Sequence, residues 1–283
     1  MQNITIIADY NKYGDLAFNE IKNNIRNFSD EFLTFDEVPV ESFDSLQAGF
    51  LLYQLTYRPS RSIYFVNVAP RKNFEEDKEN KGEGLLYVEL KNKNKILTTD
   101  SYYTLYYLKD DIAGIYAVNA SNDKSQFRSR DFFSYFVAEL ANWPLDSFKT
   151  DYLEDTNLKD TDLVCLKAPD NSFNVLNTSP SLSFRTKKLY VDSFGNIKTA
   201  ARYNDIKQYI DLNKEYKASL YDYKGNLVND NVTFNGSLFS VKEGDLSIYF
   251  GSSGFDNKFL EIALRGSDAY KMLNSDEFII KLS

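Results

Sequence analysis

The 283 residues include 41 acidic and 33 basic side chains, no histidine and one cysteine, Cys165, with a formal net charge of -8 at pH 7. The acidic balance argues against a nucleic-acid partner, which needs a concentrated basic surface. A lone cysteine excludes an internal disulfide, and the lack of histidine argues against a metal site. The sequence lacks a run of about 18 apolar residues and a signal-peptide core, so we expect a cytoplasmic protein without a membrane partner.

The amino-terminal part alternates short β-type runs with helix-period segments from Ile4 to about Asn142. This alternation predicts an α/β domain with a mostly parallel sheet over residues 1–145. One predicted helix places apolar side chains from Phe18 to Phe28 on one face, and a second begins at Asp131. The strand candidates are ITIIAD, FLTF, SIYFVNV, GLLYVEL and IAGIYAV.

Two segments of the chain have the composition of connections. Residues 71–84 are charged and nearly free of apolar side chains, which predicts a surface loop, with a lid over a site as the less favoured alternative. Residues 146–179 are polar and acidic, and we interpret them as a linker that ends near Ser179. Residues 180–283 then change to a β pattern, which predicts a small antiparallel β-barrel, or a sandwich. In this region KGN at 224–226 predicts a hairpin turn.

Three strings in the carboxyl-terminal part carry a family resemblance: YVDSFGN at 190–196, SSGF at 252–255 and FLEIA at 259–263. In this order they resemble the nucleoside-binding half of the S-adenosylmethionine hydroxide adenosyltransferases, the family that includes the fluorinases and chlorinases. The resemblance implies S-adenosylmethionine as substrate or ligand and no separate cofactor. It also implies a homotrimer with sites between subunits. Three residues, Asp256 to Lys258, are inserted relative to the family between the last two strings.

The resemblance assigns roles to residues in these strings. Asp192 would receive the α-ammonium of the methionine moiety, and a carboxylate gains a charge-assisted hydrogen bond there. Asn196 would hydrogen-bond the adenine edge, since an amide offers both donor and acceptor. The other implied contacts are an apolar surface near the base from Phe194, the methionine carboxylate at Ser252 and Ser253, and adenine at Arg265. The alternative for DSFGN is a tight turn between strands, in which Gly195 takes a positive φ and Asp192 caps the turn.

At the amino end, ADYN resembles the family string whose aspartate follows the first strand and holds both ribose hydroxyls. Asp9 is the match, and open parallel sheets bind ligands beyond the carboxyl ends of their strands. Phe43 falls where the family lines the sugar and sulfonium region. Core packing is the simpler alternative for Phe43.

The residues implied in catalysis depart from the family. Ala69 stands where the family has a polar residue, and in QFRSRDFF Arg128 replaces the family's histidine. Arg130 and Asp131 are retained, and Ser129 matches the serine that contacts halide in fluorinases. The candidate catalytic residues are therefore Ser129, Arg128, Arg130 and Asp131. The alternative for Arg130 and Asp131 is a surface ion pair with a helix cap.

The resemblance implies attack of water at C5′ of S-adenosylmethionine, giving adenosine and methionine. Because the water-activating set is broken, we expect slow or altered hydrolysis, with halogenation ranked low. Two alternatives stay open: a noncatalytic sensor or scaffold that binds S-adenosylmethionine or adenosine, and a purely structural, aromatic-rich protein. Without histidine, any acid–base step would use carboxylates, tyrosines, lysines or water.

Overall fold

The computed structural model describes residues 1–10, 13–60, 62–68, 84–119, 125, 127–154, 158, 163–170 and 172–283. The contacts between Cα atoms divide the chain into two compact units, Met1–Ala168 and Pro169–Ser283. The segment 146–179, predicted as a linker, contains a helix, a 3-10 helix and a strand on the two sides of this division. Among the helices that the structure describes, none combines the length and the apolar character that a membrane crossing requires.

The first unit is an α/β structure built on one sheet. Its strands are β1 (Gln2–Ala8), β2 (Leu33–Pro39), β3 (Ile63–Asn67), β4 (Leu85–Leu90), β5 (Lys95–Thr99) and β6 (Ile112–Ala117). Its helices are α1 (Leu16–Phe28), α2 (Ser45–Thr56), α3 (Ser134–Asn142) and α4 (Leu145–Tyr152), with 3-10 turns at Tyr106–Asp111 and Val164–Leu166 and a π-helix at Ser129–Phe133.

The described strands of this unit lie in the order β2-β1-β3-β5-β4-β6. The first four are parallel, whereas β4 runs antiparallel to both β5 and β6. The prediction of a mostly parallel sheet is therefore confirmed. Strands β1 and β3 are adjacent, so the residues that follow them lie at the same edge of the sheet.

Helix α1 forms where its apolar spacing predicts. Asp15 caps it, since its Oδ1 accepts a hydrogen bond from the Ala17 N–H at 2.9 Å. Phe18, Ile21 and Ile25 are fully buried in the core of the unit. Burial of such side chains contributes roughly 1.5 to 3 kcal/mol each.

Helix α3 differs from its prediction at the start. The helical segment opens with the π-helix Ser129–Phe133, and α3 continues it from Ser134. Asp131 lies inside the π-helix, and the residue at the N-cap of this helix is Arg128. The predicted helix start at Asp131 is therefore wrong, because its carboxylate binds the neighbouring Arg130 side chain instead of capping backbone N–H groups.

The second unit is a β-barrel. Its strands are β7 (Phe173–Asn177), β8 (Ser183–Val191), β9 (Ile197–Arg202), β10 (Tyr216–Asp222), β11 (Leu227–Phe234), β12 (Leu246–Phe250), β13 (Phe259–Leu264) and β14 (Glu277–Leu282). The short helices are α5 (Tyr203–Ile206) and α6 (Ala269–Leu273), with 3-10 turns at Leu238–Ser240 and Phe255–Asn257.

In the described part of this unit, β8 and β14 pair and close a barrel of strands β8 to β14. The pair β11–β12 is parallel, so the barrel is mixed and the antiparallel prediction is corrected at this pair. The remaining barrel pairs are antiparallel. Alternate side chains of the strands fill the interior, which is dominated by Ile, Leu and Phe.

Candidate functional site

One group of predicted site residues, in the first unit, lies just beyond β1. Asp9 follows the last residue of this strand, and its Oδ2 accepts a hydrogen bond from the Phe43 N–H at 3.0 Å. Phe43 has a φ of 65° and its side chain is 48% exposed, which does not fit the core-packing alternative. The loop before α2 thus brings Phe43 beside Asp9.

A buried polar cluster lies at the same edge of the sheet. The phenol oxygen of Tyr10 accepts a hydrogen bond from Asn67 Nδ2 at 2.8 Å, and the Ser129 hydroxyl bonds with the same phenol. The Tyr10 ring packs edge-on against Phe18 and Phe127, with centroids 5.0 and 6.1 Å away. Burial raises the pKa of Tyr10 well above its ordinary value, although both hydrogen bonds act in the opposite direction.

Tyr10 and Asn67 were missed as candidates from the sequence. Tyr10 follows β1, and Asn67 is the last residue of the neighbouring strand β3. Polar residues at the carboxyl ends of two neighbouring parallel strands are the signal that points to them. Of the four predicted catalytic residues, Ser129 is the one whose contact with this cluster is described; its residue is 6% exposed.

Arg130 and Asp131 pair with each other at the surface. The Arg130 guanidinium bonds both Asp131 oxygens, and its Nη1 lies 3.1 Å from Glu20 Oε1 on α1. Hydrogen bonds from Arg130 and Ser125 hold the pKa of Asp131 below its usual range. These contacts fit the surface ion-pair alternative.

Arg128 occupies a different environment. Its guanidinium carbon lies 4.8 Å from the centroid of the Phe133 ring, a cation–π arrangement. Ala69 and residues 71–83 of the predicted loop lie outside the residues that the structure describes.

Another group of predicted site residues, in the second unit, lies in the turn Asp192–Asn196 between β8 and β9. Asp192 Oδ1 accepts from the Phe194 and Asn196 N–H groups at 2.9 and 3.0 Å, and Oδ2 accepts from Asn196 Nδ2 at 3.0 Å. Gly195 has a φ of 80°, and a Cβ there would lie 2.2 Å from Asp268 Oδ1. The turn alternative for DSFGN is thus the geometry that this segment adopts.

Lys198 links this turn to the neighbouring strand. Its Nζ lies 3.2 Å from Asp192 Oδ2 and also contacts Glu261 Oε2. Lys198 and Glu261 are cross-strand partners on β9 and β13. Glu261 Oε1 in turn accepts from Ser253 Oγ at 3.2 Å, and the Glu261 residue is only 3% exposed. We call Asp192, Lys198, Glu261 and Ser253 the barrel ion cluster.

Gly251 makes room for this cluster. A Cβ at position 251 would lie 1.7 Å from Glu261 Oε1, a distance that no side chain tolerates. The glycine of the string GSSG therefore allows the Glu261 carboxylate to occupy the space beside the backbone of the loop after β12.

The cluster shifts the pKa values of its own groups and of a neighbour. Burial raises the pKa of Asp192, but hydrogen bonds from Asn196 and the Lys198 ammonium outweigh it and hold that pKa below its ordinary value. Burial, helped by the charges of Glu261 and Asp192, raises the pKa of Tyr249 to about 12. Tyr249 is therefore a neutral phenol at physiological pH.

The other predicted binding residues are spread around the turn and the loop after β12. Phe194 is 77% exposed, and Ser252 is exposed whereas Ser253 joins the barrel ion cluster. Arg265 Nη1 donates to the backbone oxygens of Phe239, at 3.2 Å, and Val241. Arg265 thus binds the loop between β11 and β12, a contact that the sequence did not predict.

An open groove of about 740 Å³ lies beside Tyr249 in the same unit. Aromatic rings of Tyr203, Phe239 and Phe250 line it together with Tyr249, and Asn235 adds an amide. This volume is within the range of small-molecule sites. Among the described residues, no group of three or more acidic or cysteine side chains is arranged to hold a metal ion.

These features define a class of two-unit proteins. Its members combine a largely parallel α/β sheet, a closed mixed barrel and a DSFGN turn. Residues 187–277 match the family model of the SAM hydroxide adenosyltransferase C-terminal domain, and this segment includes the Asp192 turn and Glu261. Residues 187–277 are therefore similar to the C-terminal domain of the SAM hydroxide adenosyltransferases, and the resemblance seen in the carboxyl-terminal part of the sequence is confirmed.

Two crystal structures share the fold over the whole chain. An uncharacterized conserved protein from Thermotoga maritima is 19% identical, with a TM-score of 0.68 and coverage of 98% of this chain and 99% of that one. A conserved hypothetical protein from Thermus thermophilus is 17% identical, with a TM-score of 0.62 and full coverage of both chains. At these identities the likeness shows the fold alone. No curated protein matches the chain.

Proposed function

We propose that this protein binds the nucleoside part of S-adenosylmethionine or of a related adenosine compound. The observation that carries the proposal is the position of Asp9 one residue beyond β1, beside the buried Tyr10 cluster at the ligand edge of a parallel sheet. One carboxylate can accept hydrogen bonds from two vicinal hydroxyls, so Asp9 suits the ribose. The exposed ring of Phe43, whose N–H binds Asp9, then flanks the sugar.

The second unit has features of its own that suit an adenine base. The aromatic groove around Tyr203 and Tyr249 has rings on which a purine can stack. Asn196 keeps its carbonyl oxygen available to a base, because the hydrogen bond to Asp192 uses its Nδ2. The family match of residues 187–277 favours an adenine compound over other planar ligands. The trimer with shared sites stays a prediction.

Binding without efficient turnover is the role that we favour. Arg130 and Asp131 bind each other at the surface, and Arg130 also binds Glu20, so both charges already have partners of opposite charge. General-base assistance contributes roughly 10²- to 10⁴-fold to such reactions. Its loss makes a sensor or scaffold the simpler function.

Slow hydrolysis of S-adenosylmethionine is the second candidate, and one observation favours it. Ser129 and Asn67 place a hydroxyl and an amide around the Tyr10 phenol at the edge of the sheet where Asp9 lies. Such a polar cluster is able to orient a water molecule without a charged base. The products would be adenosine and methionine.

Calorimetry with adenosine and S-adenosylmethionine on the full chain tests the proposal. We expect Asp9→Asn to weaken adenosine binding about tenfold or more, because the ribose loses a charge-assisted acceptor. Asp36→Asn, an exposed carboxylate in the middle of β2, is the matched control and should leave binding unchanged. Equal affinities for the wild type and Asp9→Asn would contradict the ribose assignment.

Chromatography of the incubated mixture separates the two candidates. Release of adenosine that disappears in Ser129→Ala would support hydrolysis, whereas binding without release supports the sensor. If neither ligand binds the wild type, the proposal of a nucleoside site is wrong.

A further inference from the structure

The Asp192 carboxylate already uses its full set of acceptor positions. A carboxylate offers about four lone-pair sites. Two backbone N–H groups bond Oδ1, while Asn196 Nδ2 and Lys198 Nζ bond Oδ2. Because every site has a donor from the same unit, a ligand ammonium has to displace one of these donors before it can bind Asp192.

Lys198 is the donor that a ligand ammonium resembles. Its Nζ lies between Asp192 and Glu261, with its side chain 12% exposed and that of Glu261 4% exposed. The second Glu261 oxygen accepts from Ser253 Oγ, so each of the two Glu261 oxygens already has a donor. An ammonium that displaced Lys198 from Asp192 would remain beside a like charge still held by Glu261, and like charges at close range repel. Tyr249 stays neutral beside them and supplies no compensating charge.

We propose that Lys198 is a specificity-determining residue, whose ammonium fills the place of a ligand ammonium and directs the site to nucleosides that lack an amino-acid tail. This inference rests on the proposed nucleoside function and narrows its ligand class. The preferred ligands are then adenosine and its uncharged 5′ derivatives, and compounds that carry a free α-ammonium bind less well.

The sharpest test uses two thioethers that differ in the tail, 5′-methylthioadenosine and S-adenosylhomocysteine, since neither carries a sulfonium charge. For the wild type we expect 5′-methylthioadenosine to bind about tenfold more tightly than S-adenosylhomocysteine. The double variant Lys198→Met/Glu261→Gln removes the internal cation and the buried charge that it neutralises, and the introduced amide oxygen is still able to accept from Ser253. In this variant the amino-acid tail of S-adenosylhomocysteine should no longer weaken binding, because one acceptor position of the Asp192 carboxylate is then open to the ligand ammonium.

Lys187→Met is the matched control, since Lys187 pairs with Glu277 at 3.1 Å on another part of the barrel. It should keep the wild-type preference, and melting curves show whether each variant is folded. If the double variant does not fold, the preference between the two thioethers is measured on the single variant Lys198→Met instead. A wild type that binds S-adenosylhomocysteine more tightly, or an unchanged preference in both Lys198 variants, overturns the role of Lys198 while the nucleoside function stands. A wild type that binds no adenosine compound overturns the proposed function and this inference together.

Discussion

Two turns of the barrel have the same local structure and different surroundings. Asp192–Asn196 (DSFGN) joins β8 to β9, and Asp222–Asn226 (DYKGN) joins β10 to β11. In the second turn Asp222 Oδ1 accepts from the Lys224 and Asn226 N–H groups, both at 2.9 Å, and Oδ2 accepts from Asn226 Nδ2 at 2.8 Å. The first turn has the same three bonds within 0.2 Å. The φ of the glycine is 80° in one and 84° in the other.

The difference lies in what the neighbouring strands supply. Asp192 meets the Lys198 ammonium and, through it, the buried Glu261, whereas Lys224 and Asn226 in the other turn are exposed. The five residues D-x-x-G-N therefore specify a hairpin turn, and they do so wherever they occur in this barrel. What makes one of the turns a candidate site is the barrel ion cluster beside it.

The largest expected effect on the free energy of unfolding comes from replacing Glu261, the buried carboxylate beside the first turn. Glu261→Ala should lower the free energy of unfolding by about 3 to 5 kcal/mol, because it breaks a buried ion pair and leaves Lys198 partly uncompensated. Urea denaturation measures the loss. Glu277→Ala, which breaks a partly exposed pair with Lys187, is the control and should cost about 1 kcal/mol or less. Equal losses would mean that burial does not distinguish the two pairs.

The next largest loss of stability is expected from replacing the turn glycines, Gly195 and Gly225. Ala at either position pays the strain of a positive φ, about 1 kcal/mol. At Gly195 the new Cβ also lies 2.8 Å from the Asp268 Cα, whereas at Gly225 nothing lies within 4 Å. We expect a loss of about 3 kcal/mol for Gly195→Ala and about 1 kcal/mol for Gly225→Ala, since overpacking adds to the strain only in the first. Denaturation curves that coincide for the two variants would contradict the close approach of Asp268.

The turn aspartates differ in what they contribute to stability at neutral pH. Asp192→Ala should cost more stability at neutral pH than Asp222→Ala, because only Asp192 binds a buried ammonium. The pKa of Asp192 is held below its ordinary value of 3.8. A lowered pKa contributes stability above the ordinary value, and the contribution is lost as the pH falls through the folded-state pKa. Unfolding measured from neutral pH to about pH 3 should therefore show the cost of Asp192→Ala shrinking only at the acidic end; a cost that is constant throughout would argue against the ion pair.

The smallest stability effect is expected at the third position of the turn. Phe194 is 77% exposed, so Phe194→Ser should change the free energy of unfolding by no more than about 0.5 kcal/mol. Binding of adenosine should nevertheless weaken if Phe194 packs against the base, as the family resemblance predicts. Lys224→Ser, at the equivalent position of the other turn, should alter neither quantity. Calorimetry and denaturation on the same samples check both expectations.

The sequence predicts elements well where one local pattern determines them. The apolar spacing of α1, the alternation of the strands and the hairpin turn at KGN are examples, whereas the turn at DSFGN was only an alternative to its ligand-binding interpretation. Helix α2 was missed because eight of its twelve residues are buried, among them Gln47, Gly49 and Tyr53, which obscures a one-sided apolar face. The parallel β11–β12 pair was missed because pairing direction depends on the path of the whole chain.

The candidate site was predicted only in part. Strings that resemble the family led to Asp9, Asp192 and Asn196, while the residues that surround them were missed. Lys198 and Glu261 lie 63 positions apart and meet only because β9 and β13 are neighbours. Their signal was a single charged residue inside each of two otherwise apolar or small-residue strands, IKTA and FLEIAL.

Gly251 shows how a residue without charge determines the electrostatics of its surroundings. A methyl group at this position would coincide with Glu261 Oε1 and force that carboxylate out toward water. Lys198 would then be shared with Asp192 alone, and the net charge of the cluster would rise by one unit. A single Gly251→Ala substitution is thus expected to act as a charge mutation, strengthening the preference for tail-free ligands without replacing any ionisable side chain.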